Sequence, residues 1–334
     1  SIAVDASGNV YTTGYFQGTA DFDPGTGIFN LASAGFIDIF ISKLDSSANF
    51  IWAKQLGGIS SDYGSSIAVD DFGNVYTTGG FGSIVDFDPG ADTFNMTSAG
   101  AQDIVISKLD ASGNFIWAKQ LGGTVLDEGY SVAIDASGNV YTTGYFQGTA
   151  DFDPGVDTFN MISAGGRDIF VSKLDASGNF LWAKQFWGVG WSDEGSSIAI
   201  DASGNVYTTG YFWDTVDFDP GADTFNMTSA GNYDIFVHKM SQQCTPTSST
   251  ISPTACDSYT SPSGNYTWAV SGTYMDTIPN TAGCDSVMTI NLTVNNSTTS
   301  AISPTACESY ISPSTNYTWT VSGTHIDTIP NAAS

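Results

Sequence analysis

The chain has 334 residues, 41% of them hydrophobic and 13% aromatic, which is enough apolar material for a sizeable core and excludes a disordered chain. Its 34 acidic residues against 8 Lys and Arg leave a net charge of −26, which argues against nucleic acid or anionic membrane as main partners and fits an extracellular protein, cation binding or a salty habitat. No apolar run is long enough to span a bilayer, and the lack of an initiator Met or signal sequence marks a processed product or a fragment.

Residues 1–16, SIAVDASGNVYTTGYF, return from Ser66, Ser131 and Ser197. Such a period means one supersecondary unit copied and stacked. Within one period, 1–5 alternates apolar and polar as a short strand does. Asp5-Ala6-Ser7-Gly8-Asn9 is a turn, because Asp accepts backbone N–H bonds and Gly tolerates positive φ. Residues 10–16 form the return strand of a hairpin. The DFDPG motif at 21–25 and a short segment at 28–34 follow. A second hairpin then joins DIFISKL (38–44) to NFIWAKQL (49–56). No window carries a helical stripe, so the expected class is all-β. Four antiparallel strands per copy is the content of a propeller blade, and radial packing accounts for apolar residues on both faces of Ile39–Ile41. A linear β-solenoid is the alternative.

The run DIFVSKLDASGNFLWAKQF at 168–186, followed by DEGSSIAIDASGNVYTTGYF at 193–212, resembles the SBBP repeat, the seven-bladed β-propeller repeat of secreted bacterial proteins. The resemblance covers about residues 1–240 and implies a β-propeller of about 65-residue blades at 1–65, 66–130, 131–196 and 197–240. Two departures stand out: the period is lengthened by the DFDPG segment, and four copies are present. The WAKQ strand occurs three times, at Trp52, Trp117 and Trp182, which places its missing partner upstream of Ser1 in a longer protein.

From Ser241 the composition shifts to Thr, Ser, Pro and Asn. A second repeat begins at Ile251 (ISPTACDSY) and Ile302 (ISPTACESY). These stretches resemble the Thr-rich, Ig-like repeats near the C-termini of secreted Bacteroidetes proteins, commonly exported by the type IX secretion system. The resemblance implies small Ig-like β-sandwich repeats at 241–297 and, truncated, at 298–334. All four cysteines lie at or after Cys244, which fits disulfides in an oxidising compartment. Cys256–Cys284 is the natural pair within the first copy; Cys244–Cys256 with Cys284–Cys307 is the rival, and sequence alone does not fix connectivity. Thr277, Ser286 and Thr328 sit in triplets resembling Bacteroidetes O-glycosylation sites, although Thr-rich strands alone also produce such triplets.

DFDPG is the strongest chemical constellation. It places Asp21 with Asp23, Asp86 with Asp88, Asp151 with Asp153 and Asp217 with Asp219 on one face, around a Phe that points inward. Adjacent carboxylates repel unless a cation or donors lie between them, and oxygen ligands in a compact turn suit Ca²⁺. A hydrogen-bonded Asx turn without metal is the plainer reading. The second candidate is where repetition fails: Trp187 stands in the row of Gly57 and Gly122, Trp191 lies in a lengthened turn, and Trp213 replaces Gln17 and Gln147. Exposed aromatics stack on sugars or anchor a partner; packing against a neighbouring blade is the alternative.

The repeat-fixed lysines are expected to pair with repeat aspartates or to snorkel. His238, in the row of Ser42, Ser107 and Ser172, is expected on a strand surface. No nucleophilic triad, CxxC metal site or phosphate loop is visible, so no enzymatic activity is expected. These features indicate extracellular structural or adhesive work, with a propeller as recognition head on a stalk of repeats and an extracellular glycan or protein as partner. The alternatives are a surface filament of identical subunits joined by strand exchange, or the non-catalytic part of a polysaccharide-processing enzyme.

Overall fold

A computed structural model of the chain describes residues 1–241, 248–279, 285–295 and 300–329. Every regular element in it is a β-strand, as the period-2 patterning requires. The chain divides into two units, Ser1–Gln243 and Cys244–Ser334.

The first blade contains β1 (Ile2–Val4), β2 (Val10–Phe16), β3 (Thr19–Asp21), β4 (Asn30–Ala32), β5 (Asp38–Leu44) and β6 (Phe50–Gly58). The hairpin turn is fixed by one carboxylate. Asp5 Oδ1 accepts the Ser7 and Asn9 amides, both at 2.9 Å, and its Oδ2 accepts from Asn9 Nδ2 at 2.7 Å and Tyr11 Oη at 3.0 Å. Asp70, Asp135 and Asp201 make the same bonds, so the DxxGNxY pattern is a self-contained cap. Strands β1, β2, β5 and β6 then form an antiparallel meander.

The next two copies repeat this plan. Blade two has β7 (Tyr63–Val69), β8 (Val75–Phe81), β9 (Ile84–Asp86), β10 (Asn95–Thr97), β11 (Asp103–Leu109) and β12 (Phe115–Gly123). Blade three has β13 (Glu128–Ile134), β14 (Val140–Asp151), β15 (Asn160–Leu174) and β16 (Phe180–Gly188). Blade four has β17 (Glu194–Ile200), β18 (Val206–Phe212), β19 (Thr215–Asp217), β20 (Asn226–Thr228) and β21 (Asp234–Met240). Among the described residues its sheet is three-stranded, β17-β18-β21.

The lengthened period has a structural use that spacing did not show. In copies two to four, the side hairpin carrying DFDPG pairs back onto the outer strand of the preceding blade. Asp86 and Val85 pair with Gly57 and Gly58, Asp151 and Ala150 with Gly122 and Gly123, and Asp217 and Val216 with Trp187 and Gly188. The insert is thus a clasp between neighbouring blades, and it explains why β7 to β20 include one ten-stranded sheet.

Between blades the packing is close. A Cβ added to Gly129 of β13 would lie 2.3 Å from Thr78 Oγ1 and 3.1 Å from Ile104 Cγ2 of the preceding blade, so that position admits only hydrogen. The buried faces carry Tyr76, Ile104, Phe146, Phe152 and Phe170, with Ile39, Ile41, Phe81 and Phe87 in the neighbouring cluster. The lysine row departs from the expected pairing with aspartates. Lys43 Nζ lies 4.9 Å above the Tyr11 ring and donates to the Ala111 carbonyl of the next blade at 3.2 Å, where Trp52 Nε1 also donates at 3.3 Å. Among the described residues only Lys173 comes within 4.0 Å of an aspartate, Asp135, while Asp110 feels the charge of Lys54 and Lys239 that of Asp201 at longer range. An ammonium over a ring face is attracted by the ring quadrupole. His238 is also not a surface residue: it is half-buried with its ring 4.5 Å from Phe186, because blade four leans that strand onto blade three.

In the second unit, β22 (Ser248–Ile251) and β23 (Thr254–Cys256) run parallel to one edge of β27 (Asp285–Asn295), and β26 (Gly272–Pro279) runs antiparallel to its other side. Short hairpins join Tyr259–Thr260 to Thr267–Trp268 and Tyr310–Ile311 to Thr318–Trp319. Trp268 stacks on Tyr274 at 4.4 Å, as Trp319 does on His325 at 4.8 Å. Among the described residues β27 takes its partners in one four-stranded sheet, and the two-stranded Tyr259–Trp268 hairpin meets that sheet through the Trp268–Tyr274 stack. Cys256 and Cys307 are exposed free thiols; Cys244 and Cys284 lie outside the described residues. Thr277 and Thr328 are exposed, whereas Ser286 is buried on β27 and closed to a glycan in this fold.

Candidate functional site

Each joint between blades is built around two fully buried aspartates. The first, Asp38, Asp103 or Asp168, opens the third strand of a blade. Its Oδ2 accepts a backbone amide and the side-chain amide of Gln55, Gln120 or Gln185; at Asp38 these distances are 2.8 and 2.6 Å. The second, Asp62, Asp127 or Asp193, precedes the inner strand of the next blade. Asp62 takes the amides of Gly58 and Gly82, both at 3.0 Å, and so ties the outer strand of one blade to the second strand of the next. Burial pushes the carboxyls of Asp62, Asp127 and Asp168 up to about 6 and that of Asp193 to about 7, against the bonds that favour ionisation. Asp38 Oδ1, Asp168 Oδ1 and Asp193 Oδ2 are buried without a hydrogen-bond partner.

The joint from blade three to blade four carries more than this scaffold. The chain contains one Arg and three Glu, and Arg167, Glu128 and Glu194 meet there. Glu128 and Glu194 open the inner strands β13 and β17, in the row where blade two has Tyr63. Arg167 lies on β15 one residue before Asp168. Its guanidinium pairs with Glu194 and lies 4.0 Å from the Tyr145 ring centroid. Ser192 Oγ donates to Glu194 Oε1 at 3.2 Å, and Tyr145 Oη donates to Glu128 Oε2 at 3.5 Å. Tyr130 packs edge-on to Tyr145 at 5.6 Å. Burial and the like charge of Glu194 push the Glu128 carboxyl up, while Arg167 pulls it down.

Aromatic side chains continue this cluster. Tyr211, which hydrogen-bonds to Glu194, lies 5.1 Å from Tyr233, and Tyr233 lies 5.4 Å from Trp213. The Trp213 amide donates to Asp193 Oδ1 at 2.7 Å, which fixes its strand to the joint. The Trp191 carbonyl accepts the Arg167 amide at 3.4 Å, while its side chain is 78% exposed. Trp191 and Trp213 therefore belong to one surface with the ion pair. Trp187 is half exposed on β16 opposite Asp217 in the clasp, with no ring contact to the other two among the described residues. Sequence reasoning found the tryptophans and overlooked the charged cluster; its signal was the lone Arg together with two Glu in one repeat row.

The DFDPG turns are built alike in all four copies. Asp151 Oδ1 accepts the Asp153 and Phe159 amides at 3.0 and 2.8 Å, and Asp153 Oδ1 accepts the Gly155 amide at 2.8 Å. Asp21 with Asp23, Asp86 with Asp88 and Asp217 with Asp219 repeat these bonds. The carboxylates thus close their own turns, and Phe87, Phe152 and Phe218 point inward and are buried as expected. Among the described residues no group of three His, Cys, Asp or Glu converges as a metal site would.

Three stretches, residues 51–79, 116–149 and 181–211, match the SBBP family, described as a beta-propeller repeat. Each runs from the outer strand of one blade into the first hairpin of the next. The chain is 24% identical over 63% of its length to an uncharacterized WD repeat-containing protein of Acanthamoeba polyphaga mimivirus. It is 26% identical over 51% of its length to the Regulatory protein FlaEY of Caulobacter vibrioides. The matched region is 18% of each of those relatives. A solved structure of a protein of unknown function from Bacteroides caccae aligns over 69% of this chain and 73% of its own, at 9% identity and a TM-score of 0.23.

Proposed function

We propose that this chain is a non-catalytic extracellular or cell-surface recognition protein whose β-propeller binds a glycan or protein partner through the joint between blades three and four. One observation carries the reading: the single Arg and two of the three Glu gather where the repeat is broken, beside the exposed ring of Trp191. A repeat scaffold needs none of these residues, since the joint between blades one and two closes without them, with Tyr63 in the glutamate row. Exposed indole and phenol faces stack on the apolar faces of sugar rings, while the carboxylates and guanidinium offer acceptors and donors to hydroxyls. The net charge of −26 favours neutral or cationic ligands over anionic ones. The exposed Thr277 and Thr328 fit a glycosylated, secreted tail.

A glycan array probed with the chain and with Trp191→Ala and Trp213→Ala variants tests this. Binding is expected to fall about tenfold or more in each variant, in keeping with losses of about 2 kcal/mol or more on truncating an aromatic hot spot. Binding that survives both substitutions, or no binding by the parent chain, overturns the glycan version.

Calcium at the DFDPG turns is a separate part of the proposal, resting on two carboxylates side by side in an exposed turn. If it binds, titration releases or absorbs heat and raises the melting temperature. No heat and an unchanged melting temperature leave these turns as hydrogen-bonded caps alone.

A further inference from the structure

A cavity of about 380 Å³ lies between blades two and three, on the side of the hairpin turns, and its volume falls among those of small-ligand sites. Val69 and Ile134, the last residues of the inner strands β7 and β13, give it an apolar lining. The two turns that flank it are closed by their own aspartates. Asp70 accepts the Phe72 and Asn74 amides, Asn74 Nδ2 and Tyr76 Oη, and Asp135 accepts the matching donors, so the lone pairs of both are taken. Two lining residues are extra to this plan. The turn reads DASGN in copies one, three and four and DDFGN in copy two, which puts Asp71 and Phe72 in the rows of Ala136 and Ser137. The turn uses the amide of Phe72, as it uses that of Ser7 or Ser137, while the ring is 85% exposed. The Asp71 carboxylate is exposed and has no part in the turn's bonds. Lys108 lines the same cavity. Its Nζ lies 4.8 Å above the Tyr76 ring and donates to the Ala176 carbonyl at 3.4 Å, which leaves N–H donors of the ammonium unengaged among the described residues. No ion pair joins Lys108 to Asp71 among those residues.

We infer that this cavity binds a zwitterionic α-amino acid with an apolar side chain: its ammonium on Asp71, its carboxylate on Lys108, its side chain against Phe72 and the apolar lining. The cavity presents an unengaged anion, a cation with donors left and an apolar face, and such a ligand carries the complement of all three. Hydrogen bonds to charged partners are about twice as strong as neutral ones, so a zwitterion gains more here than a ligand of hydroxyls. A ligand with a single charge leaves Asp71 or Lys108 unanswered, and an anion also faces Asp70 and Asp135. The zwitterion has no net charge, so the −26 of the chain neither steers it nor repels it. The turn closes without Asp71 or Phe72 in the other three copies, so the fold does not call for them. In blade three the strand ladder runs from Val140–Leu174 beside this cavity to Phe146–Asp168 beside Arg167, about 20 Å away. The inference therefore uses no residue of the surface at blades three and four and does not rest on it.

Equilibrium dialysis of the whole chain against L-leucine and L-phenylalanine tests it. Leucinamide, which lacks the carboxylate, N-acetyl-leucine, which lacks the ammonium, and methyl glucoside, which lacks both, serve as comparison probes. The double variant Asp71→Ala, Phe72→Ser restores the turn of the other copies, so its melting temperature is expected to match the parent's. The parent is expected to bind at least one of the two amino acids, and the comparison probes about tenfold or more weakly. The double variant is expected to lose about tenfold or more in affinity, while Trp191→Ala keeps it. No binding of either amino acid overturns the inference, as does binding that the double variant retains in full. Blocked derivatives that bind as tightly as the free amino acid contradict the zwitterion, and tighter binding of the glucoside assigns the cavity to a sugar. Loss of binding in Trp191→Ala alone places the ligand at blades three and four and overturns the inference as well.

Discussion

Raising the pH from about 5 to about 8 is expected to lower the melting temperature of this chain, the reverse of the trend that carboxylates usually impose. The cause is the buried aspartates of the joints. Asp62, Asp127 and Asp168 hold their protons up to about pH 6 and Asp193 to about 7, above the 3.8 of the free side chain. Between those values the folded chain binds more protons than the unfolded one, so stability falls as pH rises. Their contribution is complete below about pH 4 and is lost as pH passes through the 6–7 of the folded state. A rise from 3.8 to about 6 corresponds to about 3 kcal/mol per independent group. The groups of one joint face each other, so the sum is smaller than that figure multiplied by their number. Asp5, Asp45, Asp110 and Asp201 act in the opposite direction, held below the ordinary value by their turn bonds. Their contribution fails only as pH falls below about 4, which puts the stability maximum near pH 4–5.

Asp168→Asn tests the same mechanism at one joint. Asp168 Oδ2 accepts from Ala164 and Gln185, bonds that the Asn carbonyl keeps, and its Oδ1 makes no close hydrogen bond, although the Gly165 and Gly188 amides lie near enough to favour the charged form. The variant is expected to melt higher than the parent at pH about 8 and close to it at pH about 5, because a like charge beside Asp193 has been removed. Calorimetric melts across this range check both statements. A parent melting temperature that rises from pH 5 to 8 contradicts them.

The second large effect concerns the clasp. Phe152 is fully buried, with ring centroids 5.3 Å from Phe146 and 5.0 Å from Phe170. Phe152→Ala is expected to cost about 3–5 kcal/mol, the usual range for a buried Phe with no neighbour free to collapse. The same change at Phe22, half-buried in the first blade, should cost less. Denaturant unfolding of the two variants measures the difference; equal losses would show that the DFDPG segment does not join blades.

Much of the fold was legible in the residues because the repeat is local. The DxxGN turns, the first hairpin of every copy, the second hairpin of the first three and the inward Phe of DFDPG follow from period-2 patterning and from side chains that bond within a few positions of themselves. What the sequence hid is what arises between copies. The clasp pairs Asp151 with Gly122, and the two aspartates of a joint come from different blades. Neither relation lies within one copy of the repeat. Of the two expectations for the Lys43 row, pairing with aspartates missed its acceptor for the same reason, since the Ala111 carbonyl belongs to the next blade. In the tail, Thr-rich alternation predicted strands and left their order open, and β27 took parallel neighbours. The recognition surface was half visible. Broken repetition flagged Trp187, Trp191 and Trp213, while the ionic cluster beside two of them needed the pairing of Arg167 with Glu194 to be seen.

The most direct test restores the repeat at that surface. Trp187→Gly, Trp191→Val and Trp213→Gln put back the residues of the neighbouring copies, Gly122, Val125 and Gln147. If the scaffold lies in the repeated residues and recognition in the departures, the triple variant melts like the parent and loses its array ligands. A triple variant that folds and binds the same ligands with unchanged affinity would contradict the account.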